Sequence, residues 1–161
     1  MRDLDIPQLS KNIQSWIKNY LESTGLQGIV LGLSGGIDSA VSTALCVKAL
    51  GRSNVITVGL PCESNYQDLE DAKLVAESLG VRFFIIDLTS TYKEFLRTIP
   101  PQIEINRKSL SNTKPRLRML SLYFMAQSMD CLVAGTGNRT ELAIGYFTKY
   151  GDLGFLYEFL H

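Results

Sequence analysis

Histidine, cysteine and net charge are scarce in this chain, and each scarcity argues against a class of function. The one histidine, His161, is the last of the 161 residues, so histidine-based catalysis has almost no support. The cysteines Cys46, Cys62 and Cys131 are widely spaced, which favours reduced thiols of a cytoplasmic protein over disulfides or a metal cluster. Because 16 basic residues balance 16 acidic ones, no overall field attracts nucleic acid or an anionic membrane.

Long apolar runs are missing as well. No run approaches the length of a membrane span, so we expect no membrane insertion. Residues 1–5 contain acidic side chains and begin no apolar core, so we expect no signal peptide and a cytoplasmic location. The length suits one domain and no stretch resembles a linker between domains, so residues 1–161 are predicted to form a single domain.

Apolar runs of strand and helix character alternate along the chain. We predict strands at residues 28–33, 55–60, 82–88 and 131–134, and helices at about 7–23, 40–50, 68–79, 89–97 and 114–129. Residues 100–113 show no clear period and are predicted to form a loop. The alternation predicts a three-layer α/β fold, in which a mostly parallel sheet is covered by helices on both faces and joined by right-handed crossovers.

Residues 31–40, with the sequence LGLSGGIDSA, join the first strand to the second helix. The glycines let backbone N–H groups approach an anion, the helix N-terminus adds partial positive charge, and Ser34 and Ser39 add hydroxyl donors. Asp38 would repel a phosphate unless a cation lies between them, so the stretch predicts a phosphate ligand and Mg²⁺. A plain glycine turn with Ser and Asp as helix caps is the alternative. The motifs GxxxxGK[ST] and GxGxxG do not fit.

Two later stretches carry further candidate residues. In residues 112–119, NTKPRLRM, Arg116 and Arg118 open a helix that is apolar on more than one side. Guanidinium pairs suit phosphate or carboxylate recognition, and solvated ion-paired side chains are the alternative. Residues 135–152, GTGNRTELAIGYFTKYGD, follow the fourth strand and so begin at the same sheet edge as the first loop. There Glu141 could join Asp38 on one Mg²⁺, or could be an exposed helical residue.

The SGGxDS loop resembles that of the N-type ATP pyrophosphatases, and the three stretches together resemble the ammonia-dependent NAD synthetases. The family pattern is SGGxDS, then NxxxRxRM, then GTxNxxE followed by GYFTKYGD, and all three parts occur here in order. The resemblance implies the Rossmann-like adenine nucleotide alpha hydrolase fold. It also implies ATP-dependent amidation of deamido-NAD to NAD through an adenylated carboxylate, with ammonia as the nitrogen donor and with release of AMP and pyrophosphate.

The same resemblance implies roles for individual residues. For ATP binding it points to Ser34, Gly35, Gly36, Asp38, Ser39, Leu60 and Thr136. For deamido-NAD binding, at the interface of a homodimer, it points to Tyr20, Asn112, Arg116, Tyr123, Lys149 and Asp152. Asp38 and Glu141 are expected to be the catalytic pair, because they would hold Mg²⁺.

The chain also departs from the family pattern. Gly59 stands before Leu60 where some members carry an arginine, Leu153 replaces a glycine, and the chain stops at His161 while family members continue. We therefore expect a truncated synthetase with weak or no turnover. Two alternatives stay open: another N-type ATP pyrophosphatase that acts on a different carboxylate or on tRNA, and a catalytically impaired nucleotide-binding or dimer-forming fragment. The balanced charge argues against tRNA.

Overall fold

Four short strands form a parallel sheet. In the computed structural model, which describes residues 5–151, they are β1 (Gly28–Gly32), β2 (Val55–Gly59), β3 (Arg82–Ile85) and β4 (Cys131–Ala134). Their order across the sheet is β3-β2-β1-β4, and every neighbouring pair is parallel. The central strands β1 and β2 are buried almost throughout, because helices cover both of their faces. The predicted α/β fold with a parallel sheet is confirmed.

Helices cover the two faces of this sheet. Those in the described residues are α1 (Ile6–Thr24), α2 (Ile37–Leu50), α3 (Tyr66–Leu79), α4 (Thr89–Arg97), α5 (Arg107–Ser128) and α6 (Arg139–Ile144), with a 3₁₀ turn at Arg52–Asn54. Successive strand residues point to opposite faces, so Ile29 and Leu31 pack towards α1 and α2 while Val30 packs towards α4 and α5. Helix α3 lies on the α2 side through Ala72 and Ala76.

Helix α5 begins at Arg107, so the predicted loop is wrong for residues 107–113. The side chain of Asn106 caps the helix by accepting a hydrogen bond from the backbone N–H of Ser109 at 2.9 Å. The first two turns are mostly polar and exposed, which is why no apolar period marks them. Pro115 lies inside the helix, although a proline there is more typical of a first turn.

Strand β3 ends at Ile85, short of the predicted residue 88. The chain nevertheless keeps following β2, because Ile86 N–H donates to the Gly59 carbonyl at 2.9 Å and Leu88 N–H donates to the Pro61 carbonyl at 2.8 Å. The two segments therefore reach the same edge of the sheet together, and this pairing supports the loop that follows β2.

The thiols are unpaired, as predicted. Cys46 and Cys62 are buried, Cys131 is half-buried, and all three are free. Burial raises the pKa of Cys46 to about 12, so this thiol stays protonated at neutral pH. Among residues 5–151, no helix combines the length and apolar character needed to cross a membrane.

Candidate functional site

A pocket of about 380 Å³ opens at the carboxyl ends of β1, β2 and β4, where parallel sheets bind ligands. Residues from the loops after these strands and from α5 line it. Those also predicted for ATP or Mg²⁺ are Ser34, Gly36, Asp38, Ser39, Leu60, Thr136 and Glu141. The structure thus brings together residues that are up to 107 positions apart in the chain, and all but one of the residues predicted for ATP line this pocket.

The exception is Gly35, which lies in the glycine loop (residues 34–39) against the backbone of α3 and does not line the pocket. Its φ is +83°, a backbone conformation that L side chains rarely adopt. A Cβ at this position would lie 2.4 Å from the carbonyl oxygen of Asp68 in the first turn of α3. Glycine is therefore required twice, once for the backbone angle and once for the close approach of α3.

Helix α2 starts directly after this turn with a free N-terminus. Gly36 is its N-cap residue and offers no side chain to the first-turn N–H groups. These groups have no partner within the helix, and their dipoles favour an anion. The loop therefore keeps the donors that a phosphate group needs.

Two serine hydroxyls brace the same loop. Ser39 Oγ accepts from the backbone N–H of Ser34 at 3.2 Å and donates to the Gly36 carbonyl at 2.9 Å. Ser34 Oγ accepts from the N–H of Gly36 at 3.3 Å and lies 3.1 Å from Ser39 Oγ. Ser39 is buried and holds the loop in shape, whereas Ser34 is exposed and can turn its hydroxyl towards a ligand.

Asn138 connects the two carboxylates that were predicted to hold Mg²⁺. Its side-chain amide donates to Asp38 Oδ2 at 3.3 Å. Its backbone N–H donates to Glu141 Oε2 at 3.0 Å, and its Oδ1 accepts from the N–H of Glu141 at 2.9 Å, which is the capping box of α6. Both carboxylates are half-buried and line the pocket, so Glu141 is not an exposed helical residue.

The charges along the pocket wall are unequal. The described side chains that line it include the carboxylates of Asp38, Asp68 and Glu141 but one cation, Arg118. No group of three or more His, Cys, Asp or Glu side chains within residues 5–151 could hold a metal ion by itself. Two carboxylates joined through Asn138 do fit Mg²⁺, which commonly takes one or two carboxylates and completes its shell with phosphate oxygens and water.

The structure does not bring all of the residues predicted for deamido-NAD together within one chain. None of those described lines the pocket, and Asp152 lies outside the described residues. Tyr20, on α1, stacks on Trp16 with 5.2 Å between the ring centroids. Tyr123 is on α5, which packs on the opposite face of the sheet from α1.

The remaining three of these residues form one cluster beside the start of α5. Arg116 Nε donates to the carbonyl of Lys149 at 3.2 Å, and the hydroxyl of Thr148 lies 3.4 Å from Asn112 Oδ1. These bonds fasten the segment after α6 to α5. Arg116 and Asn112 thus have a structural role in this chain whether or not they bind a ligand.

Four polar residues that line the pocket were not among the predicted site residues. They are Ser64, Asn65, Asp68 and Arg118. Arg118 carried a signal, since paired arginines at a helix start suit anions. The other three follow β2 at the edge where ligands bind, Ser64 and Asn65 in the loop and Asp68 in the first turn of α3, but nothing in their local sequence distinguishes them from the polar residues around them.

The sheet order, the glycine loop and the pocket define a domain of the adenine nucleotide alpha hydrolase fold. Within that class, the chain belongs to the NAD synthase family, whose model matches residues 9–158.

Named relatives agree with this assignment. The NH(3)-dependent NAD(+) synthetase of Finegoldia magna is 43% identical over 94% of this chain and 61% of its own length. The solved structure of the NH3-dependent NAD synthetase of Campylobacter jejuni has a TM-score of 0.87 at 36% identity and matches 94% of this chain and 65% of its own. An NMN synthetase from Francisella tularensis scores 0.86 at 35% identity and matches 93% of this chain and 62% of its own. The chain thus spans about three fifths of the length of the curated relative.

Proposed function

We propose that this chain is the ATP-binding part of an NAD synthetase, and that the whole protein converts deamido-NAD to NAD with ATP and ammonia. The observation that carries the proposal is one pocket lined by the glycine loop, at the uncapped N-terminus of α2, and by the carboxylates of Asp38 and Glu141, which Asn138 connects. This arrangement suits a polyphosphate with a bound divalent cation. Membership in the NAD synthase family supports this choice of reaction.

The proposed reaction has two steps. A carboxylate oxygen of the nicotinate group attacks the α-phosphorus of ATP, and the bond to the bridging oxygen of pyrophosphate breaks. Ammonia then attacks the carbonyl carbon of the mixed anhydride, loses a proton, and expels AMP to leave the amide. Neither step needs a protein nucleophile, so the residues work by positioning the reactants and stabilising developing charge.

The described residues suit these tasks. The first-turn N–H groups of α2, including that of Ser39, together with the hydroxyl of Ser34 would hold the departing pyrophosphate, while the Ser39 hydroxyl keeps the loop in shape. Asp38 and Glu141 would hold Mg²⁺, which supplies neutralisation of the phosphate charge when bound. Thr136 lines the pocket beside them and would contact the ribose or the phosphates.

We also propose a homodimer with deamido-NAD at its interface. Leu120 and Phe124 on α5 are 65% and 68% exposed, and Tyr123 beside them is 40% exposed. An apolar helix face of this kind is typical of an interface between subunits. A dimer would also explain why the tyrosines predicted for deamido-NAD lie on opposite faces of one chain. The free thiols support a cytoplasmic location.

One observation supports a second candidate for the substrate that accepts the amide nitrogen. The NMN synthetase of Francisella tularensis matches this chain almost as well as the NAD synthetase of Campylobacter jejuni does. The acceptor for this chain could therefore be the mononucleotide carboxylate rather than the dinucleotide. Both acceptors present a nicotinate carboxylate, so the chemistry at ATP would be the same.

Pyrophosphate release in the presence of ATP, Mg²⁺ and ammonia tests the proposal. The assay is run with deamido-NAD, with nicotinic acid mononucleotide, and with no acceptor. We expect slow release that depends on deamido-NAD. Release that depends on the mononucleotide alone would favour the second acceptor. Equal release in all three arms would contradict both and favour another pyrophosphatase. ATP binding without any release would favour a nucleotide-binding fragment.

A further inference from the structure

The β2–α3 loop (residues 60–65) forms one wall of the pocket but has no regular structure of its own. Leu60, Pro61 and Ser64 line the pocket from this loop. Glu63 has a φ of +52°, which is uncommon for a residue other than glycine and is costly without external support. The conformation of the loop must therefore be stabilised by contacts from other elements.

The segment after β3 supplies some of those contacts, since Leu88 N–H donates to the Pro61 carbonyl and the Glu63 N–H donates to Thr89 Oγ1 at 3.1 Å. Helix α5 supplies the others through two cations one turn apart. Arg118 Nε donates to the Leu60 carbonyl at 3.0 Å, and its Nη2 donates to Ser64 Oγ at 3.3 Å. Lys114 Nζ pairs with Glu63 Oε2 at 2.9 Å, and this hydrogen bond keeps the pKa of Glu63 below its usual value. The Arg118 guanidinium thus bonds to the loop at both ends, at its first residue, Leu60, and at Ser64 next to its last residue.

The hydroxyl group of Ser64 can still donate one hydrogen bond. Its oxygen accepts from the backbone N–H of Cys62 at 3.1 Å as well as from Arg118. A hydroxyl has two lone pairs and one proton, so both acceptor positions are used and the proton remains free to donate. The guanidinium charge polarises the O–H bond and strengthens that donor. Ser64 is exposed and lines the pocket, so a bound ligand can accept the proton.

The position of Ser64 indicates which part of a nucleotide it would meet. The glycine loop follows β1 and Glu141 follows β4, so phosphates and cation belong on the β1–β4 side of the pocket. Ser64 follows β2 on the other side of β1, beside the apolar side chains of Leu60, Pro61 and Leu122. A flat purine suits this apolar end, and its ring nitrogens are hydrogen-bond acceptors.

We propose that Ser64 donates a hydrogen bond to a ring nitrogen of the bound purine and that Arg118 is the positioning residue that orients it. This inference rests on the proposed function in taking ATP as the nucleotide. It adds a base-contacting residue that neither the glycine loop nor the carboxylates supply.

The first test uses the wild-type chain and calorimetric binding of Mg²⁺-ATP. Three ATP analogues are compared with ATP, each with one acceptor nitrogen of the purine ring system (N1, N3 or N7) replaced by C–H. We expect one analogue to bind about fivefold more weakly because it cannot accept the proton of Ser64. Equal affinity for all four nucleotides would overturn the inference. No ATP binding by the wild-type chain would overturn the proposed function and this inference with it.

Variants then separate contact from structural support. Ser64→Ala should bind ATP about fivefold more weakly and no longer distinguish ATP from the sensitive analogue. Arg118→Lys replaces the planar fork of donors by a single point charge and should orient Ser64 less well, so it should show a smaller discrimination between the same two nucleotides. The matched control is Ser78→Ala on the exposed side of α3, whose hydroxyl bonds to the Val75 carbonyl and which should bind as wild type. If Ser64→Ala keeps the wild-type affinity for ATP, or weakens ATP and the analogue equally, Ser64 does not contact the base and the proposed function still stands.

Discussion

The left-handed backbone at Gly35 lets the first turn of α3 press against the glycine loop. A methyl group there would meet the Asp68 carbonyl at 2.4 Å as well as strain the φ of +83°. The arrangement of the backbone donors in the loop and the position of α3 therefore both depend on the absence of a side chain at residue 35.

Gly35→Ala should accordingly lower the free energy of unfolding by about 3 kcal/mol and abolish measurable ATP binding. Gly25→Ala is the control, because Gly25 has a similar φ of +71° but no atom within 4 Å of a Cβ built there. The control should cost about 1 kcal/mol, which is the backbone penalty alone. Urea unfolding and calorimetry measure both effects, and equal losses in the two variants would refute the packing argument.

Asn138 combines a helix cap with an amide donor to Asp38, and two substitutions can separate these roles. Asn138→Ser keeps a capping oxygen but loses the amide that reaches Asp38, so the stability should change little while the Mg²⁺ dependence of ATP binding shifts to about tenfold higher Mg²⁺. Asn138→Ala should show the same shift and also lose about 1 kcal/mol of stability. Calorimetric titration of ATP over a range of Mg²⁺ concentrations gives the first quantity and urea unfolding the second. An unchanged Mg²⁺ dependence in Asn138→Ser would contradict the bridging role.

Single residues mark the limit of prediction from sequence. Asp38 and Glu141 were predicted because each lies in a motif with a recognisable chemical purpose. Ser64 was not predicted, because its proposed role depends on a hydrogen bond from Arg118. That residue is 54 positions away in the sequence and meets Ser64 only in the folded chain. The roles predicted for individual residues in binding ATP and deamido-NAD stay predictions.

The elements were predicted where an apolar face repeats and missed where it does not. The central strands β1 and β2 follow from buried, largely β-branched runs between helical segments, whereas β3 was predicted from its aromatic and apolar residues although it is mostly exposed. The first two turns of α5 were missed because they are polar and exposed, so their helical state rests on the Asn106 cap and on continuity with the buried turns around Leu122. A periodic pattern of apolar residues reflects the burial of one face. An exposed helical extension buries no face, so its sequence shows no such pattern.

A test of this explanation is the Asn106→Ala variant. Loss of the cap should lower the free energy of unfolding by about 1 kcal/mol and reduce the helical signal in circular dichroism. Ser111→Ala, within the same exposed turns, removes a hydroxyl that bonds to the Lys108 carbonyl and should leave stability unchanged or slightly higher. Identical stability of wild type and Asn106→Ala would mean that packing alone determines where α5 begins.

The described domain leaves an apolar face of α5 exposed, and the chain spans about three fifths of the length of its curated relative. If that face is a dimer interface, Leu120→Glu should shift the chain to monomer by placing an uncompensated charge there. Leu74→Glu is the matched control, because Leu74 is 61% exposed compared with 65% for Leu120 and lies on α3, on the other side of the sheet. Sedimentation velocity distinguishes the species. A wild-type monomer, or equal dissociation by both substitutions, would contradict the assignment of this face.

The central claim is that the pocket joins the acceptor carboxylate to the α-phosphorus of ATP. Deamido-NAD labelled with oxygen-18 in its carboxylate tests it most directly, with the chain at a concentration comparable to that of its substrates so that slow turnover is detected. After reaction with ATP, Mg²⁺ and ammonia, mass spectrometry of the products should find one labelled oxygen in AMP, because an acyl adenylate leaves that oxygen on phosphorus. Unlabelled AMP, label in orthophosphate alongside ADP, or no AMP that depends on deamido-NAD would contradict the claim.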